Sequence, residues 1–371
     1  MKKKRILFII MCYTAGGGAE SLLTTIVNHL NPEKYDVSII EIVHKDVKVE
    51  PTHPNIHILP YIMRADDSER KHKMYYVYHE PEKVFQKFVK DEYDLYVSFN
   101  YQRPIFLLPP GKKCISWIHG SIYNLAVDDM KEELQLEDDA LDKVQHIVGI
   151  SDITMQSIRE LHPRHAGKLV EIHNGIDIER VRRLAAEPTD VHLTSPSLLF
   201  IGRLDENKNP VRVVDVLSIV HKKWRIPVHA YFLGYGDLTD ETRAHAEELD
   251  LASYVHFLGY RENPFPIIRQ CDISILLSKA EGFPMCLLES QALGKPVVAT
   301  VIGGSRILIQ DPACGEVIET DEQAADAVQR LLQLDSERIW AACSQSIQRF
   351  SLDAYIAKIE RMFDETMAGK A

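Results

Sequence analysis

From Arg5 to Thr300 the chain alternates apolar runs of strand length with stretches of helical periodicity, and the alternation occurs as two successive series. Runs apolar on both faces are the mark of parallel strands, and parallel strands need crossover helices between them. The first series predicts strands at Arg5–Met11, Asp36–Val43, Asn55–Leu59, Asp94–Asn100, Lys113–His119, Gln145–Ser151 and Lys168–His173. Helices are expected at Ala19–Leu30, Pro81–Lys90, Met130–Lys143 and Asp152–Leu161, the last capped by Ser151. The second series predicts strands at Ser197–Gly202, Val228–Gly234, Val255–Tyr260, Asp272–Ser278 and Pro296–Thr300, with helices at Val211–Lys222, Asp240–Leu249, Pro264–Gln270 and Met285–Leu293. From Asp335 onward the tail reads as helix.

Between the two series the character changes. Asn174-Gly175-Ile176-Asp177 is a turn signal, and Glu187-Pro188-Thr189-Asp190 with Ser195-Pro196 reads as a linker. Two doubly wound α/β domains facing across a cleft are therefore expected, 1–180 and 181–350. A chain of 371 residues fits two domains and can bury a core without a disulfide or metal staple. Ligands of such sheets bind beyond the carboxyl ends of the strands, so the segments just after strands are where function is to be sought.

Charge and cysteines narrow the class. A net charge of −11 argues against a nucleic-acid binder that relies on phosphate neutralisation. Six cysteines, none spaced as C-x-x-C, suit reduced thiols in a cytoplasm rather than zinc or redox chemistry. The basic, then apolar, then small-residue start MKKKRILFIIMCYTAGGGA resembles a signal peptide, but it reads better as a buried strand, a glycine loop and a helix. No apolar run reaches the roughly 18–20 residues of a membrane helix.

Several segments after strands carry chemistry. Gly16-Gly17-Gly18 precede a helix whose amino end suits phosphate. A dinucleotide fingerprint would need a third glycine where Ser21 stands, although Glu41 lies at a plausible ribose position; a nicotinamide oxidoreductase is weakened but stays open. Arg203 and Lys208 flank a turn into a helix, where a fork and a point charge can converge on a diphosphate; alone, such a pair is often a solvated loop. Glu281 precedes the helix begun by Pro284, and Glu289 stands two turns along it among apolar neighbours. A carboxylate there needs a partner, and either a buried cation or a ribose diol supplies one. His119 ends a strand, where a core histidine is the ordinary alternative. No D-x-D, P-loop or G-x-S-x-G string occurs, His162-Pro163-Arg164-His165 lacks a third metal ligand, and the acid-rich run Asp128–Asp142 reads as a solvated helix face.

In order along the chain, the glycine loop, Asn174-Gly175-Ile176-Asp177, the Arg203/Lys208 pair, the E-x₇-E motif of Glu281 and Glu289, and Gly303-Gly304 resemble the retaining GT-B-fold glycosyltransferases of family 4. The resemblance implies two Rossmann-like domains and a helix, about 351–371, that returns to the first. It implies transfer of a sugar from a nucleotide-diphosphate sugar, UDP favoured, without metal or cofactor, in bacterial cell-surface polysaccharide or glycoconjugate synthesis. Arg203 and Lys208 would hold the diphosphate, and Glu289 the ribose. Glu281, with amides at Gly282, Phe283, Met285 and Cys286, would hold the sugar. Gly17 and Gly18 would touch diphosphate or acceptor, His119 would sit over the sugar, and the base would lie near Tyr260 and Arg261. A carbohydrate, lipid-linked or protein-linked hydroxyl is the implied acceptor, at the inner face of the membrane or free in the cytoplasm. A sugar-nucleotide epimerase of the same fold and a non-catalytic nucleotide-sugar binder remain alternatives. The polar and basic segment Met63–Glu82 has no counterpart in the resemblance, and it leaves the acceptor unassigned.

Overall fold

In the computed structural model, which describes residues 2–15, 17–47, 52–100, 103–120 and 131–369, both series of apolar runs become parallel sheets. The chain divides into two units, Met1–Asn174 with Tyr355–Ala371, and Gly175–Ala354. Both are Rossmann-like, doubly wound parallel sheets, as expected of each series.

The first unit contains β1 (Lys4–Ile10), β2 (Tyr35–Glu41), β3 (Val43–His44), β4 (Ile56–Ile58), β5 (Met63–Arg64), β6 (Leu95–Phe99), β7 (Cys114–Ile118), β8 (His146–Gly149) and β9 (Leu169–Glu171). Seven of these form one sheet in the order β4-β2-β1-β6-β7-β8-β9, and β3 pairs with β5 beside it. Its helices are α1 (Gly18–His29), α2 (Arg70–His79), α3 (Pro81–Phe88), α4 (Arg103–Phe106), α5 (Lys131–Ala140) and α6 (Asp152–Leu161). Central strands are buried along their whole length, as in β6 and β7, which is why their sequences show no alternation. Ser151 caps α6 through the Thr154 amide, 3.3 Å away.

The second unit contains α7 (Ile178–Leu184), β10 (Ser197–Ile201), α8 (Pro210–Ile219), β11 (His229–Leu233), α9 (Thr239–Glu248), β12 (Val255–Gly259), α10 (Phe265–Ile268) and β13 (Ile273–Leu276). It continues through α11 (Met285–Ala292), β14 (Val297–Thr300), α12 (Ser305–Leu308), β15 (Gly315–Ile318), α13 (Asp321–Leu332) and α14 (Ser336–Gln348). The sheet order is β12-β11-β10-β13-β14-β15. Phe200 and Phe232, fully buried on neighbouring strands, meet at 5.4 Å in the core that α8 and α13 cover.

Helix α15 (Leu352–Met367) contributes Tyr355 onward to the first unit. There Phe363 lies 6.1 Å from Phe8 and 6.3 Å from Tyr35, while Asp364 pairs with Lys34 at 2.5 Å and Lys4 at 3.1 Å. Burying one such phenyl ring is worth about 1.5–3 kcal/mol, so the aromatic contact anchors the helix more than its exposed ion pairs do.

Each sheet reverses its strand order once. The chain moves outward from β1 through β2 to β4, then returns to β6 on the other side of β1; β10, flanked by β11 and β13, repeats the device. These switch points open crevices at the carboxyl ends of β1 and β6, and of β10 and β13.

The acid-rich run is not a solvated face throughout. Glu137 is buried on α5, and Asp138 accepts from His162 at 3.0 Å and pairs with Arg164. Residues 128–130 at its start lie outside the described residues.

Candidate functional site

In the second unit, β10, β11 and β12 end side by side, and their exits are joined by main-chain hydrogen bonds. Gly202 donates to Leu233, Gly234 to Gly259 and Leu204 to Tyr235, at 3.0, 2.9 and 3.1 Å. Gly234 sits at φ +141, and a Cβ there would fall 1.9 Å from the Gly202 carbonyl, so only glycine permits this contact. Above the joined exits lies a cavity of about 340 Å³, rimmed by Arg203, Tyr235, Tyr260, Arg261 and Pro264. Tyr235 and Tyr260 are 70% and 65% exposed, with ring centroids 6.4 Å apart. Arg261 pairs with Asp190 at 3.5 Å, leaving its Nε buried without a partner. Tyr260 and Arg261 were expected near the base; Tyr235 was not, although its place between Gly234 and Gly236 just after a strand is a legible signal.

The loop after β10 is tied to the loop after β13. Lys279 donates its amide to the Asn207 carbonyl at 2.7 Å, and the Asn207 side chain donates to Ala280 at 2.9 Å. Between these loops the Lys208 ammonium lies 2.6 Å from the Glu281 carboxylate, at 17% and 14% exposure. The aliphatic stem of Lys208 runs across Gly202. Burial works against the Lys208 charge, but the ammonium pKa is nonetheless raised, with the Glu281 carboxylate, its hydrogen-bond partner, and Asp205 favouring the charged form. Arg203 does not join this pair: at 77% exposure it reaches Asp205, 3.0 Å away. The two cations expected to converge are each engaged by a separate carboxylate.

Gly282 lies in the loop just before α11, with Phe283 beside it. Phe283 turns inward, 5.8 Å from Phe350 and against Gly304, whose φ of +77 and lack of Cβ leave room for the ring. The Phe283 side chain is therefore structural, leaving only its main chain for the site. On α11, Met285 is half-buried, and burial pushes the Cys286 thiol up to about 12, so it stays protonated. About one turn along, burial raises the Glu289 carboxyl to about 7, only partly opposed by Arg180. Among the described residues no hydrogen bond or ion pair engages the Glu289 carboxylate. The residue is only half-buried, so its oxygens remain open to a ligand.

In the first unit, Gly17 precedes α1 and Gly18 opens it; Gly16 lies outside the described residues. The amino end of α1 is engaged from within. The Glu20 carboxylate receives the backbone amides of Gly17 and Glu20, so an acidic side chain occupies the place where a phosphate was expected. Burial nonetheless raises the Glu20 pKa. Glu41 is likewise not open to a ribose. Its Oε2 accepts the Tyr13 amide at 2.8 Å, the Thr14 amide at 3.1 Å and the Thr14 hydroxyl at 3.2 Å. Its Oε1 pairs with His44, which pairs in turn with Asp46, and Asp46 with Arg64 at 2.7 Å. Glu41 is the anchor of the loop after β1, which removes the residue that kept a nicotinamide reading open.

His119 follows β7, its ring 4.4 Å from Phe99 and 6.1 Å from Trp117. Burial lowers its pKa to about 3, and Nε2 is buried without a hydrogen-bond partner. It is a neutral imidazole with one unused nitrogen.

The comparisons with known proteins agree with this geometry. Residues 16–180 match Glycosyltransferase Family 4, and residues 183–343 match Glycosyl transferases group 1. The chain belongs to these group 1, family 4 glycosyltransferases. It is 33% identical over 153 residues to a diphospho-undecaprenol 4-alpha-N-acetylgalactosaminyltransferase of Campylobacter jejuni, covering 41% of this chain and 40% of that one. It is 28% identical over 220 residues to a D-inositol 3-phosphate glycosyltransferase of Corynebacterium urealyticum, covering 55% and 52%. The chain spans about half the length of the curated relatives it matches. Among solved structures, a glycosyltransferase from Rickettsia africae superposes with a TM-score of 0.76 at 18% identity, over 99% of both chains. HepE from Anabaena, solved with UDP, gives 0.71 at 17% identity, over 97% of this chain and all of that one. No helix among the described residues is long and apolar enough to cross a membrane.

Proposed function

We propose that the protein transfers a sugar, with retention of anomeric configuration and without a metal, from a UDP-sugar to a hydroxyl acceptor in bacterial glycan or glycoconjugate assembly. The observation that carries the reading is the Lys208–Glu281 pair at the switch point of the second sheet, with the unengaged Glu289 on α11, the helix that follows Glu281. Breaking the anomeric bond places negative charge on the departing diphosphate. A lysine already fixed by a carboxylate can stabilise that charge without reorganising, and Arg203 adds a second cation from the rim. Glu289 has two acceptor oxygens for the two hydroxyls of a ribose. Tyr235, Tyr260 and Arg261 frame the cavity for the base. Glu281 holds Lys208 in place and carries a second oxygen for a sugar hydroxyl. His119, neutral across the physiological range, can accept or donate one hydrogen bond at a sugar hydroxyl but brings no charge. No carboxylate beside His119 offers itself as a nucleophile among the described residues. A front-face route, in which the leaving phosphate takes the acceptor proton, therefore suits retention. The acceptor is a lipid-linked, carbohydrate or protein hydroxyl, met in the cytoplasm or at the inner membrane face.

The test is a panel of UDP-, GDP- and ADP-sugars screened by calorimetry, followed by NMR assignment of the anomer formed with any donor that turns over. Retention, with turnover that persists in EDTA, is the expected result. Inversion, or activity that returns only with Mn²⁺ or Mg²⁺, overturns it. Turnover of donor alone to an epimeric sugar nucleotide would identify the epimerase instead.

A further inference from the structure

In the first unit four cationic side chains face one cavity. At the carboxyl ends of β1, β2 and β6 lies a space of about 550 Å³. Lys45 reaches it from beyond β3, Arg70 and Lys71 from the first turn of α2, and Arg103 from the start of α4. His79 lies at the other end of α2, and no Asp or Glu lines the cavity among the described residues.

Most carboxylates close in sequence are engaged elsewhere; Glu69, just before Arg70, forms no ion pair among the described residues, does not line the cavity and acts on Lys73. Asp67 pairs with Lys73, Asp66 with Arg64, Glu80 with Lys83, and Asp46 with Arg64 and His44. Glu20, which senses Lys45, is turned onto the α1 amides. Lys45, Arg70, Lys71 and Arg103 have no ion pair among the described residues; Arg70 donates to the Ala65 carbonyl at 3.0 Å, and Arg103 donates to the Tyr78 hydroxyl. Four cations that share a space without a counter-charge repel one another, a cost that a multiply charged anion removes. In a chain of net charge −11, this local excess is not a by-product of composition.

The remaining walls are apolar and aromatic: Met11, Met74, Tyr75 and Tyr78. A bare inorganic ion would leave them unused. The cavity suits a ligand with a phosphate or diphosphate at one end and a ring or hydrocarbon portion at the other. Arg supplies forked donors to phosphate oxygens and Lys a point charge.

We infer that this cavity binds the phosphate or diphosphate group of an anionic acceptor, held by Lys45, Arg70, Lys71 and Arg103. The inference rests on the transferase reading above, because the occupant is an acceptor only if the protein transfers a sugar. The anion is carried either by a soluble sugar phosphate or by a lipid-linked diphosphate, and the same four cations serve both.

The experiment uses the full chain with UDP held at saturation, so that a second diphosphate reports only the first unit. Calorimetric titration with inorganic pyrophosphate, geranyl diphosphate and geraniol is compared between the wild type and the double variant Arg70→Gln/Lys71→Gln. Both positions are exposed, so the fold is expected to be retained, and circular dichroism checks this. The expected result is saturable binding of both diphosphates, none of geraniol, and at least a tenfold loss in the double variant with UDP affinity unchanged within twofold. Geranyl diphosphate binding much more tightly than pyrophosphate supports a lipid-linked source, and equal affinities support a soluble one. Binding of geraniol as tight as that of geranyl diphosphate, or diphosphate affinity indifferent to the two substitutions, overturns the inference. Should UDP itself fail to bind, the donor assignment falls separately, and the pyrophosphate titration still reads the cavity.

Discussion

Lys208 and Glu281 are bound to each other more closely than either is to solvent, across two loops that leave neighbouring strands of one sheet. Their roles are thereby coupled. Removing the carboxylate does more than delete the contact proposed to the sugar: it also releases the ammonium proposed to face the diphosphate.

Glu281→Ala is therefore expected to keep or tighten affinity for UDP, within about threefold of wild type, while kcat falls at least tenfold because Lys208 is no longer held in position. Lys208→Ala should weaken UDP binding by about tenfold or more, the size of a lost charge-assisted hydrogen bond, ~1.5–3 kcal/mol. Calorimetry with UDP and steady-state transfer, run on both variants, read the two effects apart. Equal loss of UDP affinity in both would mean that the pair acts as one binding unit.

Glu289 predicts a pH dependence with a definite sign. Its folded pKa, raised to about 7 from 4.5, means that the empty site still holds the proton over the range below 7. A ribose diol donates to the ionised carboxylate, so affinity for a UDP-sugar should rise between about pH 6 and 8 and level off above. A UDP-sugar is the right ligand because a free terminal phosphate titrates near 6 and would blur the reading. Glu289→Gln should bind weakly and show a flat profile.

His44 titrates in the opposite sense for stability. Its pKa is raised above 6.5, first by Glu41 and, against the opposing effect of burial, by Asp46. Its imidazolium pairing contributes fully below pH 6.5 and is lost as pH rises through the folded value. Urea unfolding of the first unit, followed from pH 6 to 9, should show a decline that His44→Gln abolishes. An unchanged slope in that variant would place the titrating group elsewhere.

Gly234→Ala tests the joined strand exits. A methyl group 1.9 Å from the Gly202 carbonyl, at a φ of +141, has to push apart the ends of β10 and β11. Loss of at least 2 kcal/mol in the second unit is expected from overpacking combined with backbone strain. UDP affinity should fall with it. Gly259→Ala is the comparison: its φ of +69 carries strain, but no atom lies within 4 Å of the added carbon. It should cost less.

Twelve of the parallel strands were readable from their apolar runs, with predicted ends that differ from the observed ones by a residue or two; the half-exposed edge strand β15 and the two-residue β3 and β5 were not foreseen. Helix α2 was not, because only Val77 of its ten residues is buried and its sequence carries no apolar stripe. Helix α13 was also not foreseen, although the Thr320–Gln323 capping box and the apolar positions Ala324, Val328 and Leu331 mark it. At the site, spacing gave the positions of Lys208, Glu281 and Glu289 but not their partners. That Arg203 goes to Asp205, that Glu20 occupies the α1 amides, and that Glu41 holds the loop after β1 all depend on side-chain directions that spacing does not encode.

The cavity above β10, β11 and β12 rests on peptide groups, while the chemistry of its rim comes from side chains at Arg203, Tyr235, Tyr260 and Arg261. Foundation and lettering are thus written in different atoms. Exchanging a rim tyrosine alters what the cavity recognises without touching a hydrogen bond that holds the strand ends together. With the base seated here as proposed, its choice could change by single substitutions while the sheet beneath stays as it is.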